Sequence, residues 1–179
     1  NLLRDANLPQ VADPKLVKLG NELFLTFNTG NLGKLRNAIY LMKVWPAIGA
    51  PQKCEIVDRQ TVEKNWAFFL DRDGLGAVYS LSPLVRLRLT DGVLGTNDIL
   101  HFEKVNNKAK GKEISQSISI GSQLSFLTHS LAYMVVHDKP RIGGKRGYIG
   151  RLARLDLMTD GNISVTLSKI RLIHFARKL

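Results

Sequence analysis

A short apolar segment that returns at a nearly constant interval constrains this chain more than any other feature. Asn21-Glu22-Leu23-Phe24-Leu25-Thr26-Phe27 is matched 53 positions on by Gly74-Leu75-Gly76-Ala77-Val78-Tyr79-Ser80, and 56 positions later by Ser130-Leu131-Ala132-Tyr133-Met134-Val135-Val136. A small polar cluster precedes each: Asp13-Pro14, Asn65-Trp66 and Gly121-Ser122. A second strand-like run follows each, at Ala38 to Val44, Val85 to Leu89 and Tyr148 to Leu157. Units of several antiparallel strands recurring every 40 to 55 residues or so mark propeller blades, which bury their apolar faces only by stacking on neighbours.

The local pattern agrees. Runs rich in Val, Ile, Leu and aromatics, such as Glu22 to Phe27, Ala77 to Leu81, Val85 to Leu89 and Leu131 to Val136, are bounded by Gly, Asn, Asp or Pro. Turn signals stand at Gly20-Asn21, Thr29-Gly30, Asp73-Gly74, Asp91-Gly92 and Asp160-Gly161-Asn162. Ile163 to Phe175 alternates as a further strand or two, and no long amphipathic helix is read. The expectation is an all-β, propeller-like domain over 1–179, with blade-like repeats near 11–60, 61–115 and 116–179. At about 55 residues per blade the chain supplies about three blades, whereas closed propellers have four to eight. An open ring leaves sheet edges bare. Either further blades lie outside this sequence, or a partner supplies them, or the fold is not a propeller.

Charge and cysteine content bound the function. The 26 basic and 15 acidic residues leave a net charge of +11, which suits an anionic partner. The basic residues concentrate in two stretches. One runs from Lys104 through Lys108 and Lys110 to Lys112; the other holds Lys139, Arg141, Lys145, Arg146, Arg151 and Arg154. Solvated loops are the simplest account of both. Few aromatics interleave them, so they make a poor base-stacking platform. A lone cysteine, Cys54, excludes an internal disulfide and a multi-cysteine metal site, and four scattered histidines argue against zinc. No metal is expected. No run is long and apolar enough for a membrane-spanning helix. No signal peptide is read, and the start at Asn1 suggests a processed chain or part of a longer product. The compartment stays open between cytoplasm and secretory lumen.

Three motif regions together resemble the five-bladed β-propeller glycoside phosphorylases and hydrolases, the mannoside phosphorylases and their relatives. Asp13-Pro14-Lys15-Leu16, followed by Asn21 to Gly30, is similar to their Glu-Asp-Pro-Arg blade opening. Val62-Glu63-Lys64-Asn65-Trp66-Ala67-Phe68-Phe69, leading to Val78-Tyr79-Ser80-Leu81-Ser82-Pro83, is similar to their Glu-Lys-Asn-Trp blade and is the most specific of the three. Ser119 to Leu124 with Tyr133 to His137 resembles a later blade whose apolar strand ends in His.

The resemblance implies an axial sugar pocket with Asp13 as proton donor. Lys15, Glu63, Lys64, Asn65, Trp66, Ser122 and His137 would bind substrate, and inorganic phosphate would serve a phosphorylase as co-substrate. No other cofactor is implied. Such chemistry needs a carboxylic acid that keeps its proton near neutral pH. Three departures stand against it. Ala12 replaces the motif's Glu, Lys15 replaces an Arg whose bidentate fork Lys does not reproduce, and Gly121-Ser122-Gln123-Leu124 replaces a Gly-Gly-x-Pro-Pro opening. No second carboxylate is identified.

Each residue also has a plainer account. Asp-Pro initiates turns, Trp66 and Phe68-Phe69 suit a sheet core, Glu63-Lys64 suits an exposed charge pair, and His137 caps its strand. Ile142 to Tyr148 is Gly-rich and basic but lacks the Ser or Thr and the helix of a nucleotide cradle. Two functions therefore stand side by side: a carbohydrate-active protein, and a non-catalytic basic subunit of a larger assembly with an anionic partner.

Overall fold

The computed structural model describes residues 8, 10–30, 36–105, 114–115, 118–138, 140–142, 145–147, 149–158 and 161–173. These residues form strands and connections and no helix. The all-β expectation holds.

The first unit is an antiparallel meander of β1 (Ala12–Leu19), β2 (Glu22–Asn28), β3 (Ile39–Trp45) and β4 (Pro51–Ile56). The second repeats it with β5 (Ala67–Asp71), β6 (Gly74–Leu81), β7 (Leu84–Asp91) and β8 (Leu100–Val105). These two units are not separate. The outer strands β4 and β8 pair in parallel through Cys54–Leu100, Glu55–His101 and Ile56–Phe102, giving one eight-stranded sheet. That sheet curls until its end strands β1 and β5 touch, a near-barrel. Independent blades would splay at their outer edges; here backbone pairing holds that edge shut.

The third unit is a second sheet. It contains β10 (Ser125–Thr128), β11 (Leu131–Asp138), β14 (Ile149–Leu157) and β15 (Ile163–Ile173), with β9 (Ser119–Ile120) also on β11. The hairpin of β12 (Arg141–Ile142) and β13 (Lys145–Arg146) is inserted before β14.

Side-chain alternation explains how the units stack, since successive residues of a strand face opposite sides. In β5, Phe68 enters the core shared with the first unit, where it meets Val17, Phe24 and Leu41. Its neighbours Ala67 and Phe69 enter the core shared with the third unit, beside Met134, Ala153 and Leu155. The Ala67-Phe68-Phe69 run is therefore buried on both faces. A continuous apolar run without alternation is what such a strand needs.

The three first-strand hairpins coincide in geometry. Leu19 pairs with Glu22, Asp71 with Gly74, and Thr128 with Leu131. The repeats are thus offset by 52 and 57 positions, each one residue away from the offsets of best sequence match. A one-residue slip exchanges the faces of every strand, so the hairpins, not the apolar runs, set the true register.

Candidate functional site

The polar cluster where β1 and β5 begin is built on two unusual backbone positions. Asp13 and Asn65 are the non-glycine residues with positive φ, at 51° and 62°, among the described residues. They stand 52 positions apart, at equivalent places in the first two repeats. The left-handed region disfavours side chains other than Asn and Asp and marks stored strain. At Asp13-Pro14 the β1–β2 register also shifts, between Ala12 and Lys15. Pro14 lacks the N–H a ladder needs, and a bulge on an edge strand accommodates it.

Three sequence-predicted residues meet here. The Lys15 ammonium donates to Asn65 Oδ1 at 2.8 Å, crossing from β1 to β5. Asp13 Oδ2 accepts from Asn28 Nδ2 at 3.2 Å. Burial pulls the Lys15 pKa below its ordinary value, and the Asp13 carboxylate opposes that shift. Asn28 was not singled out in the sequence because it reads as a turn residue before Thr29-Gly30. It is buried, and its Oδ1 also accepts the Gly30 amide at 2.8 Å. Its place opposite Ala12 comes from the β1–β2 pairing and leaves no local sequence signal.

Glu63 and Trp66 face inward. The Glu63 carboxylate is buried and accepts from the Gln60 amide (2.6 Å), Trp66 Nε1 (3.0 Å) and the Tyr79 hydroxyl (3.0 Å). The Asn37 carboxamide pairs with both the amide and the carbonyl of Glu63. The Trp66 indole packs edge-on against Tyr79 and Phe102 and tilts against Phe68. Glu63 thus fixes the approach to β5, and Trp66 sits in the core. Lys64, between them, is exposed.

Ser122 and His137 belong to the third unit. Ser122 Oγ accepts the Val135 amide at 2.8 Å and donates to the Gln123 carbonyl at 2.9 Å. His137 is half-buried, pairing with Ser119 and Gly150 in the sheet, its Nδ1 close over Gly121.

A cleft of about 1140 Å³ opens between the β1–β2 hairpin, the β5–β6 hairpin and the third unit. Leu16, Leu70, Phe126 and Met158 supply apolar walls, and Lys18, Arg72 and His129 supply polar ones. Of the residues predicted to bind sugar, Ser122 lines it. Arg86, buried on the cleft wall, pairs with Asp71, donates to the Gly161 carbonyl and lies over the Phe69 ring.

The basic stretches are only partly visible. Lys108, Lys110, Lys112 and Lys139 lie outside the described residues, as do the side chains of Arg141, Lys145 and Arg146. Arg151 and Arg154 fall on opposite faces of β14, three residues apart on a strand of period two. Arg154 is exposed and chelates Asp156 through both carboxylate oxygens, which raises its pKa. Arg151 is half-buried.

Among the described residues no His, Cys, Asp and Glu side chains gather in a set that could hold a metal ion, and no helix is long and apolar enough to cross a membrane. Cys54 is buried and its thiol pKa is pushed up by that burial. Compared with known proteins, the chain matches no protein-family model, no curated protein and no solved structure.

Proposed function

We propose that this chain is a carbohydrate-active protein whose repeats are propeller-type blades, with a glycan bound where β1 and β5 begin. One observation carries the reading. Asp13 and Asn65, the non-glycine residues of positive φ among the described residues, occupy equivalent positions, and each holds one polar partner, Asn28 on Asp13 and Lys15 on Asn65. Carboxylate, carboxamide and ammonium together offer the donors and acceptors that sugar hydroxyls need. In turnover, Asp13 donates a proton to the glycosidic oxygen as inorganic phosphate attacks the anomeric carbon. Lys15 supplies the positive charge beside that phosphate. Phosphorolysis is favoured over hydrolysis because Glu63, the carboxylate two residues from Asn65, is committed to three protein donors, and hydrolysis needs a second carboxylate to activate water or form a covalent intermediate.

The test is calorimetric titration with manno-oligosaccharides, with and without phosphate, beside an assay for released sugar phosphate. Lys15→Ala and Asn65→Ala should weaken binding at least tenfold. Asp13→Asn should retain binding and abolish turnover. Sugar binding indifferent to Lys15→Ala and Asn65→Ala removes the site.

A second reading, a non-catalytic basic subunit, has one specific observation behind it. Arg141 stands opposite Arg146 in the β12–β13 register, so one rung of this hairpin pairs two basic residues of a chain whose net charge is +11, which suits an anionic partner. Binding to a polyanion that weakens steeply with salt and is lost in Arg141→Ser/Arg146→Ser supports this reading. Salt-independent association, or none, excludes it.

A further inference from the structure

We propose that the third unit carries an oxyanion site of its own, in which Arg151 and Arg171 hold a phosphate group between them. The site stands apart from the glycan cluster, since both residues lie in the second sheet. Arg151, on β14, alternates with Ala153 and Leu155, each 0% exposed, so its side chain leaves the inner face of that sheet. Directly opposite it on β15 is Arg171. Residues opposed in this way share a face, with Cβ atoms about 5 Å apart. A bulge makes the pairing. Arg151 lies two positions from Ala153, whereas Arg171 lies four from Leu167, the partner of Ala153. An even register would set Lys169 opposite Arg151; the bulge takes up Lys169 and brings Arg171 into its place. Ser168 Oγ accepts the Ile170 amide at 3.0 Å within the bulge. Bulges re-aim side chains and are frequent beside functional sites.

Three cations thus gather along one stretch of the sheet, Arg151 half-buried and Lys169 and Arg171 exposed. Among the described residues none of their side chains has a hydrogen-bond or ion-pair partner, and Arg151 Nε is buried as well as unpaired. Buried donors are rarely left so, and a bound ion is one way in which such a group is met. Charges on β15 alone would be ordinary protection of an edge strand. Arg151 is not on the edge. It stands between β11 and β15, where a like charge directly opposite destabilises and edge protection asks for nothing. Asp138, on the same face beyond Val136, has a partner of its own, and its single charge leaves the cluster positive. A guanidinium presents a planar fork that matches phosphate oxygens. Two forks beside an ammonium suit the nearly double charge of a phosphate monoester at neutral pH.

The test is calorimetric titration with inorganic phosphate of the Lys15→Ala chain, so that the co-substrate position proposed at Lys15 takes no part. The expected result is saturable binding at millimolar phosphate or below. Arg171→Thr and Arg151→Met, each made in that chain, should weaken it by about tenfold or more, and Arg151→Lys, which keeps the charge without the fork, should weaken it too. Thermal midpoints supply a readout that a purely structural role would not move. Without phosphate, Arg171→Thr should melt above the chain that keeps Arg171, because it has lost a like-charge rung. With saturating phosphate the order should reverse. Arg171 is exposed on an edge strand, so this variant keeps the fold, as circular dichroism will show. Phenyl phosphate separates the two sources of the group. Equal affinity assigns a phosphate carried on a larger ligand, and binding of the free ion alone assigns inorganic phosphate. Absence of saturable binding, binding indifferent to Arg171→Thr, or midpoints that do not reverse overturns the proposal. So does binding confined to a phosphodiester polymer and lost in Arg141→Ser/Arg146→Ser, which is the basic-subunit reading instead.

Discussion

Gln123 binds Phe68 as another strand would. Its Oε1 accepts the Phe68 amide at 2.8 Å, and its Nε2 donates to the Trp66 carbonyl, two residues earlier, at 2.7 Å. A single buried carboxamide thus satisfies the bare edge of β5 and ties the second unit to the third. Gln123→Leu keeps the volume but leaves a buried amide and a buried carbonyl unpaired, at about 1–3 kcal/mol for each group. The urea midpoint should fall with the slope of the transition unchanged. Gln123→Glu should be nearly as damaging, since a carboxylate accepts from Phe68 but donates nothing to Trp66. Loss below about 0.5 kcal/mol, the level of an ordinary surface substitution, removes this account of the edge.

The two tryptophans report opposite environments. Trp66 is sealed among Phe68, Tyr79 and Phe102, and Trp45 is more than half exposed at the end of β3. The Trp45→Phe protein should emit at shorter wavelength than the parent and resist quenching by iodide. Added glycan should leave that emission unchanged, because the indole is core and makes no stacking platform. Quenchable emission from Trp66, or a shift on adding sugar, overturns its assignment to the core. Trp66→Ala should destabilise by about 3–5 kcal/mol, the usual cost of emptying a large aromatic site.

The fold was legible where local chemistry decides it. Strand positions followed from alternation and from turn residues such as Gly20, which takes the positive φ of 63° that a two-residue hairpin requires. Asp13 and Asn65 stand out in the sequence because a polar cluster recurs ahead of each apolar run, whereas Lys15 is named there only through the family resemblance. The facing of the strands was not. Apolar runs such as Ala67-Phe68-Phe69 match one another equally well at neighbouring offsets, and parity is decided by tertiary packing on both sides. The β4–β8 pairing was also illegible, since parallel contact between strands more than forty residues apart leaves no local trace. The inward role of Glu63 depends on Asn37, Tyr79 and Gln60 arriving from other parts of the chain.

Tyr79 carries the alkaline prediction. Burial, and then the Glu63 carboxylate that its hydroxyl faces, push its pKa well above the ordinary 10.0. The folded chain therefore holds the phenol proton at pH values where the unfolded chain has released it. Stability from this group is full below pH 10.0 and is lost as pH rises from there through the folded value. Tyr79→Phe deletes a hydrogen bond to a charged acceptor, a loss of about 1.5–3 kcal/mol at neutral pH. The gap in thermal midpoint between parent and variant should then narrow above pH 10.0, because only the parent has the proton to lose. Absorbance titration of the parent should show tyrosine ionising late, with that late step reduced in Tyr79→Phe. The Tyr40 phenol, also raised chiefly by burial, accounts for what remains. A stability gap that stays constant from neutral pH to beyond 10.0 overturns the Tyr79–Glu63 pairing as a stabilising contact.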